Sequence, residues 1–296
     1  MKYVLAIDGG GIRGIIPARV LCYLETQIGR PCYSMFDLIA GTSTGGIIAL
    51  ILAQGYTGDK VAKLYIENGK KIFKKSIWSI IGLTQKKYSN VYLQEELYKY
   101  LQDNQLVTSA LNVMVTGYDL YHRQPVFIKS WKPQWKDLKC VDAAMMTSAA
   151  PTYFEPFNYG RDIGVVDGGV CANNPALSAF VEARKLWPDE SITVVSLGTG
   201  QHTRKLRYGK VKNWGLVQWA KPILDVVFDG MSDVADYQLE QLLSENNYYR
   251  FQIELNGASD DMDNVSYENI NCLINEANRL ILNNKDRLNT LVSLLK

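Results

Sequence analysis

The sequence predicts an α/β layered fold with a mostly parallel central sheet flanked by helices. Three observations lead there. Short β-branched runs alternate with longer runs of helical periodicity. Several strand-like runs stop at glycine-rich turns, DGGG after Tyr3–Ile7, GTSTGG after Met35–Ala40 and DGG after Ile163–Val166. Apolar residues make up 47% of the 296, enough for a sizeable core and too many for a disordered chain.

In chain order, Tyr3–Ile7 reads as a buried strand. Ile15–Ile28 has helical spacing, with Pro17 in its first turn and Gly29 at its end. Met35–Ala40 reads as a strand and Gly45–Gln54 as a helix. Val61–Phe73 and Tyr92–Gln102 are amphipathic helices. Strands are expected at Asn112–Thr116, Val126–Ile128 and Gly164–Val166, with a helix over Val141–Ser148 between the last two. Ala176–Trp187 reads as a helix, with Asn174 as its cap and Pro175 near its first position. The strongly β-branched Ile192–Leu197 is a strand. A helical region near 217–245, a strand at Tyr248–Ile253 and a helix from about Glu268 complete the chain. No repeat or linker divides it, so a single domain over 1–296 is expected, with the motifs in about 3–200 and a helical part from about 201.

Net charge is +2, which argues against a nucleic-acid polymer as partner. The charges are segregated. Residues 60–90 carry eight lysines against Glu67, 201–221 carry six basic residues and no acid, and 222–276 carry twelve acids against Arg250. Such asymmetry suits a surface that meets anions or membranes, although solvated faces also average this way. Five widely spaced cysteines, with no CxxC, read as free thiols in a reducing compartment. No apolar run reaches the ~18 residues of a membrane span, and the N-terminus lacks a signal-peptide pattern. The expectation is a soluble, cytoplasmic chain.

Gly41-Thr42-Ser43-Thr44-Gly45 matches G-x-S-x-G between a strand and a helix, the context of a nucleophile elbow. The flanking glycines relieve clashes at the sharp turn, and the helix N-terminus aims amide dipoles at an attacked carbonyl. Asp8-Gly9-Gly10-Gly11-Ile12-Arg13-Gly14 leaves backbone N–H groups bare, as an oxyanion hole needs. Gly9, Gly11 and Gly14 also satisfy G-x-G-x-x-G, the mark of a dinucleotide-binding oxidoreductase. Asp8 beside a pyrophosphate and an unexplained Ser43 speak against it. A nucleoside-triphosphate loop fails because Ile47 stands where lysine is required. Asp167, at a strand end before two glycines, is an aimable carboxylate, though an ordinary Asp-Gly turn looks the same. Ser43, Asp167 and His202 stand in the chain order of a Ser-Asp-His triad, which keeps a triad esterase open. His122 reads as a surface residue.

Taken together, DGGGIRG, GTSTGG, SAAPTYF at Ser148–Phe154, DGGVCANNP at Asp167–Pro175 and SLGTG at Ser196–Gly200 resemble the patatin-like phospholipase family over about residues 3–200. The resemblance implies a three-layer α/β sandwich and a lipid acyl hydrolase that needs no metal or cofactor. It implies a Ser43–Asp167 catalytic dyad, an oxyanion hole of Gly9, Gly10, Gly11 and Thr44, and Arg13 on the phosphate side or in a structural ion pair. The substrate implied is a phospholipid or lysophospholipid. An aspartate is a weak base at its ordinary pKa of roughly 3.9, yet a buried one can accept the serine proton as the tetrahedral state forms. Some bacterial relatives are gated by cyclic dinucleotides. The basic 201–221 segment could serve such a small anionic activator, making the chain a ligand-gated membrane-degrading effector.

Three weaker features remain. SIWSIIGL at Ser76–Leu83, with lysines on both sides, fits an interfacial element in which Trp78, Ile80 and Ile81 enter the acyl boundary over the Ser43 site. A buried helix is the other reading of that stretch, and contact with the membrane would then be peripheral and elsewhere. Asp260, Asp261 and Asp263 lack the pattern of a calcium loop and read as solvated. Trp214 and Trp219 read as core aromatics rather than a membrane edge.

Overall fold

The structure, a computed structural model, describes residues 1–74, 88–160, 162–220 and 222–296. Eight strands form one sheet: β1 (Lys2–Ile7), β2 (Leu38–Gly41), β3 (Asn112–Asp119), β4 (Gln124–Lys129), β5 (Phe157–Asn158), β6 (Gly164–Asp167), β7 (Ile192–Leu197) and β8 (Tyr248–Phe251). Its order is β5-β6-β3-β2-β1-β7-β8, with β4 also on β3. The run β3-β2-β1-β7-β8 is parallel, and β4, β5 and β6 make an antiparallel end. The expected mostly parallel sheet is therefore present.

Alternation along the strands sorts the helices into two layers. Leu5, Ile7, Ile39, Val113 and Val195 face one cluster with α1 (Ile15–Ile28), α2 (Thr44–Ala53), α3 (Gly58–Ile72), α4 (Asn90–Leu101) and α5 (Cys140–Ser148). After α6 (Gly169–Ala172), the helices α7 (Ala176–Leu186) and α10 (Pro222–Leu242) cover the other face. There Ala176, Ala179, Ala183 and Leu239 meet Val4, Ala6, Leu38 and Val194. Two four-residue helices, α8 (Tyr208–Val211) and α9 (Leu216–Trp219), precede α10. The C-terminal helical expectation splits at Asn284 into α11 (Tyr267–Asn283) and α12 (Lys285–Leu295), both packed on the first cluster. Helix α2 buries every residue, which is why its sequence is apolar on all sides.

Register places the glycine turns together. Ile7 pairs with Gly41 on one side and with Leu197 on the other, so the loops after β1, β2 and β7 leave the same carboxyl edge. Ligand sites in parallel sheets form at that edge. The candidate interfacial residues Trp78, Ile80 and Ile81 lie outside the described residues.

Two expectations are corrected here. Asp260, Asp261 and Asp263 are engaged rather than merely solvated. Asp260 accepts the N–H groups of Thr203 and Arg204, Asp261 accepts from Arg204, and Asp263 accepts from the Tyr88 hydroxyl at 2.6 Å. Trp214 and Trp219 are half-buried and pack edge-to-face on each other, 5.3 Å between centroids, outside both core clusters. Trp219 ends the four-residue α9 and Trp214 lies in the loop before it, a stretch that buries no residue.

The sheet's far side is tied to the β1 turn by one buried ion pair. Arg250, on β8, donates to both carboxylate oxygens of Asp8 at 3.0 and 2.6 Å and to Ser196 Oγ at 2.8 Å. The bidentate fork keeps the guanidinium charged, with Asp8 and its neighbours raising the Arg250 pKa. Removing one partner of a buried pair strands the other charge. Arg250→Ala is therefore expected to lower unfolding free energy by about 3–5 kcal/mol. Denaturant titration checks this, and a loss under about 1 kcal/mol, the scale of an exposed pair, would contradict it.

Candidate active site

Ser43 sits between β2 and α2 at φ 54°, ψ −121°, a region that costs a non-glycine residue roughly 1–3 kcal/mol. The surrounding contacts impose that conformation. A Cβ on Gly41 would stand 2.1 Å from the Gly45 carbonyl oxygen, and one on Gly45 would stand 2.1 Å from that of Ile7. Strand, turn and helix therefore touch backbone to backbone. Thr42 N–H donates to Ile7 O at 3.2 Å, Gly45 N–H to Thr42 O at 2.8 Å, and Ser43 N–H to Thr147 Oγ1 at 3.0 Å.

Asp167 ends β6 with no solvent exposure. One carboxylate oxygen accepts the Gly169 N–H at 2.7 Å. The other is buried without a full hydrogen bond among the described residues. Burial pushes the Asp167 carboxyl up to about 7, against the opposing pull of the Ser43 hydroxyl and the Gly169 N–H. The serine side chain thus lies close enough to influence the carboxylate. Their two loops are stitched by Thr42, whose hydroxyl shares a 2.7 Å hydrogen bond with that of Thr116 and donates to Ala172 O at 2.6 Å. Gly168 admits this contact, since a Cβ there would lie 2.0 Å from Thr116 Oγ1.

The glycine loop divides its N–H groups between structure and site. Gly9 N–H is taken by Asn173 O at 3.1 Å, so it has no donor to offer an oxyanion. Those of Gly10, Gly11 and Thr44 have no acceptor among the described residues. Gly11 adopts φ 58°, and a Cβ there would meet Met262 O at 2.2 Å. Ile12 N–H donates to that same carbonyl at 2.9 Å, pinning the loop from the C-terminal third. Thr44 is held in turn by Tyr65, whose hydroxyl hydrogen-bonds its Oγ1 at 2.6 Å and donates to its carbonyl at 3.1 Å.

Ser43 and Asp167 open on a narrow cavity of about 50 Å³ walled by Ile72, Phe73, Leu93, Leu97, Phe154 and Phe228. Thr116, Thr147, Tyr65 and Phe228 carry no motif that sequence reading could use. A hydroxyl residue on a strand or helix becomes meaningful only once its contact is known.

Arg13 and His202 belong to a separate polar cavity of about 160 Å³ beside the glycine loop, shared with Asp229 and Gln252. The buried Arg13 donates weakly from Nε to Gly10 O at 3.4 Å. The triad expectation is corrected. His202 Nδ1 lies 2.9 Å from Asp229 and its Nε2 3.2 Å from Asp260 O, so both ring nitrogens are committed away from Ser43. The dinucleotide reading is corrected too. The Gly9–Gly11 loop packs on Asn173, Thr199 and Met262, where a Cβ on Gly10 would be 2.3 Å from Thr199 Oγ1, and the Gly9 N–H is already taken by Asn173 O rather than left for a pyrophosphate. His122 pairs with Asp119 at 2.7 Å on the surface, as expected.

A family model described as patatin-like phospholipase matches residues 5–180, the stretch that contains both loops and Asp167. This chain belongs to the patatin-like phospholipase family. Patatin-like protein 2 of Oryza sativa subsp. indica is 32% identical, with 97% of this chain and 85% of that protein covered. Patatin-like protein 2 of Arabidopsis thaliana is 31% identical, covering 97% and 84%. In fold, the chain is similar to VipD from Legionella pneumophila, with a TM-score of 0.54 at 13% identity over 95% of this chain and 67% of that one. Patatin-like phospholipases are lipid acyl hydrolases in general, and no described helix here is long and apolar enough to cross a membrane.

The raised carboxyl carries a stability signature. Asp167 keeps its proton in the folded chain up to about pH 7, while an unfolded carboxyl loses it near 3.8. Its contribution is thus fully present below about pH 4 and lost as pH rises to about 7. Asp167→Asn, which still accepts the Gly169 N–H, is expected to melt above the wild type at pH 8, with an unfolding free energy higher by up to about 4 kcal/mol. The gap should close toward pH 4. A lower melting temperature at pH 8, or a gap indifferent to pH, would contradict this.

Proposed function

We propose that the protein is a serine lipid acyl hydrolase that cleaves carboxylic ester bonds of phospholipids or lysophospholipids, in peripheral contact with a membrane. The observation that carries the reading is the buried Asp167, one carboxylate oxygen of which lacks a full hydrogen bond among the described residues, beside a strained Ser43.

In this reading Ser43 Oγ attacks the ester carbonyl while its proton passes to Asp167. A carboxyl near 7 is matched to that work, since it is half ionised at neutral pH and basic enough to hold the proton once taken. The carbonyl oxygen becomes an oxyanion and accepts from the N–H groups of Gly10, Gly11 and Thr44 at the amino end of α2. Collapse expels the alcohol, which regains the proton from Asp167 and leaves an acyl group on Ser43. Water then repeats the sequence and frees the fatty acid. The apolar walls of the cavity suit an acyl chain. A carboxylate base needs no imidazole, which agrees with His202 being engaged elsewhere.

Fatty-acid release from mixed phospholipid vesicles tests this. Ser43→Ala and Asp167→Asn are each expected to lower the rate by about 10³-fold or more, and His202→Ala to stay within about threefold of the wild type. Unchanged release in Ser43→Ala overturns the nucleophile. A His202→Ala rate as low as that of Ser43→Ala overturns the dyad.

A further inference from the structure

Ten of the 21 large apolar side chains that the described residues expose lie between 206 and 242. The densest part is the excursion before α10. Tyr208 is 80% exposed, Leu216 92% and Val217 77%, and neither α8 nor α9 buries a residue. Trp214 and Trp219 pack edge-to-face beside them, and α9 also touches α10. Helix α10 continues the surface. Its buried face is Phe228, Ser232, Ala235 and Leu239. The opposite face repeats apolar residues at Ile223, Val226, Val234 and Tyr237, with Gly230 in register between them. A helix with apolar residues on both faces lacks a partner for one of them.

The charge of the segment before α10 is one-sided. Residues 201–220 hold five cations and no acid. Arg204 is committed to Asp225, Asp260 and Asp261. Lys205, Arg207, Lys210 and Lys212 are exposed and have no ion pair among the described residues. Of the α10 aspartates, Asp225 is engaged by Arg204, Asp229 by His202 and Asp236 by Tyr248, while Asp233 lines the polar cavity beside Arg13.

We infer that residues 205–220 and 222–237 form the face that seats this protein on an anionic phospholipid bilayer, with Leu216 and Val217 entering the acyl boundary and the four cations without an ion pair among the described residues meeting headgroup phosphates. A second copy of the chain fits less well, because a two-fold contact over this patch would set the same four cations against themselves. An anionic bilayer supplies apolar depth and negative charge together. Helix α10 also links the face to the chemistry, since its inner residue Phe228 walls the Ser43 cavity. The inference rests on the lipid-hydrolase reading above and adds the place of contact.

The test uses full-length Ser43→Ala, so that binding is read without consuming lipid, and phosphatidylcholine vesicles with and without phosphatidylglycerol. Sedimentation should show binding that needs phosphatidylglycerol and weakens with salt. Adding Leu216→Ser with Val217→Ser, or neutralising Lys205, Arg207, Lys210 and Lys212 to Gln, should each cost about tenfold or more in vesicle affinity. The unfolding midpoint should not move. The same changes in the Ser43 enzyme should leave hydrolysis of a soluble short-chain ester within about twofold. Vesicle binding unchanged in both variants overturns the face. So does loss of a concentration-dependent dimer with vesicle binding intact, which would make the patch a self-association surface. Ester hydrolysis by the wild type, run in parallel, reports separately on the lipid-hydrolase reading. Activity there without vesicle binding removes the face alone, and inactivity there removes the reading beneath it.

Discussion

The active-site geometry depends on how closely the backbone of β1 approaches the turn at Ser43. Gly45 lies against the carbonyls of Ile7 and Asp8, and Gly41 lies against Gly45, at distances no side chain could share. That contact fixes the start of α2 relative to the sheet, holds Ser43 at its positive φ and sets the helix amide dipoles behind it. The β1 turn is itself held from three directions: by Thr199 through its hydroxyl to Gly9 O at 2.7 Å, by Met262, and by the Asp8–Arg250 pair. Strain at one serine is carried by a large, rigid core rather than by local bonds alone.

The second constraint is electrostatic. A fully buried carboxylate with one oxygen short of a full hydrogen bond among the described residues is unfavourable for folding. Here burial raises the affinity of Asp167 for a proton to the range where it can exchange one with a serine hydroxyl. The Gly169 N–H steadies the carboxylate without saturating it, and Gly168 lets β6 end against Thr116. The stability lost by burying the charge and the basicity gained from burying it have the same origin.

Much of this was legible in the sequence because glycine is informative where backbones meet. DGGG, GTSTG and DGG each marked a strand end at the carboxyl edge, and alternation of apolar runs gave the layers. Sequence could not say which glycine N–H groups stay free. Gly9 is excluded by a carbonyl 164 positions away in the chain, that of Asn173. Nor could it show that Met262 and Phe228, from a region without motifs, close over the loop and the cavity. Chain order made His202 a plausible third member, and only its contacts with Asp229 and Asp260 remove it. The tryptophans at 214 and 219 misled in the other direction, because large aromatics are usually buried and these rest on each other at the surface.

The proposed dyad requires that Asp167 activate Ser43. The most direct measurement is the rate at which a fluorophosphonate modifies the enzyme across pH, with the adduct located by mass spectrometry. A single adduct on Ser43 is expected, formed at a rate that climbs as Asp167 ionises through about pH 7. In Asp167→Asn the rate should be about a hundredfold lower and should show no rise near that pH. An adduct on any other residue, or modification of Ser43 in Asp167→Asn at the wild-type rate, would contradict it.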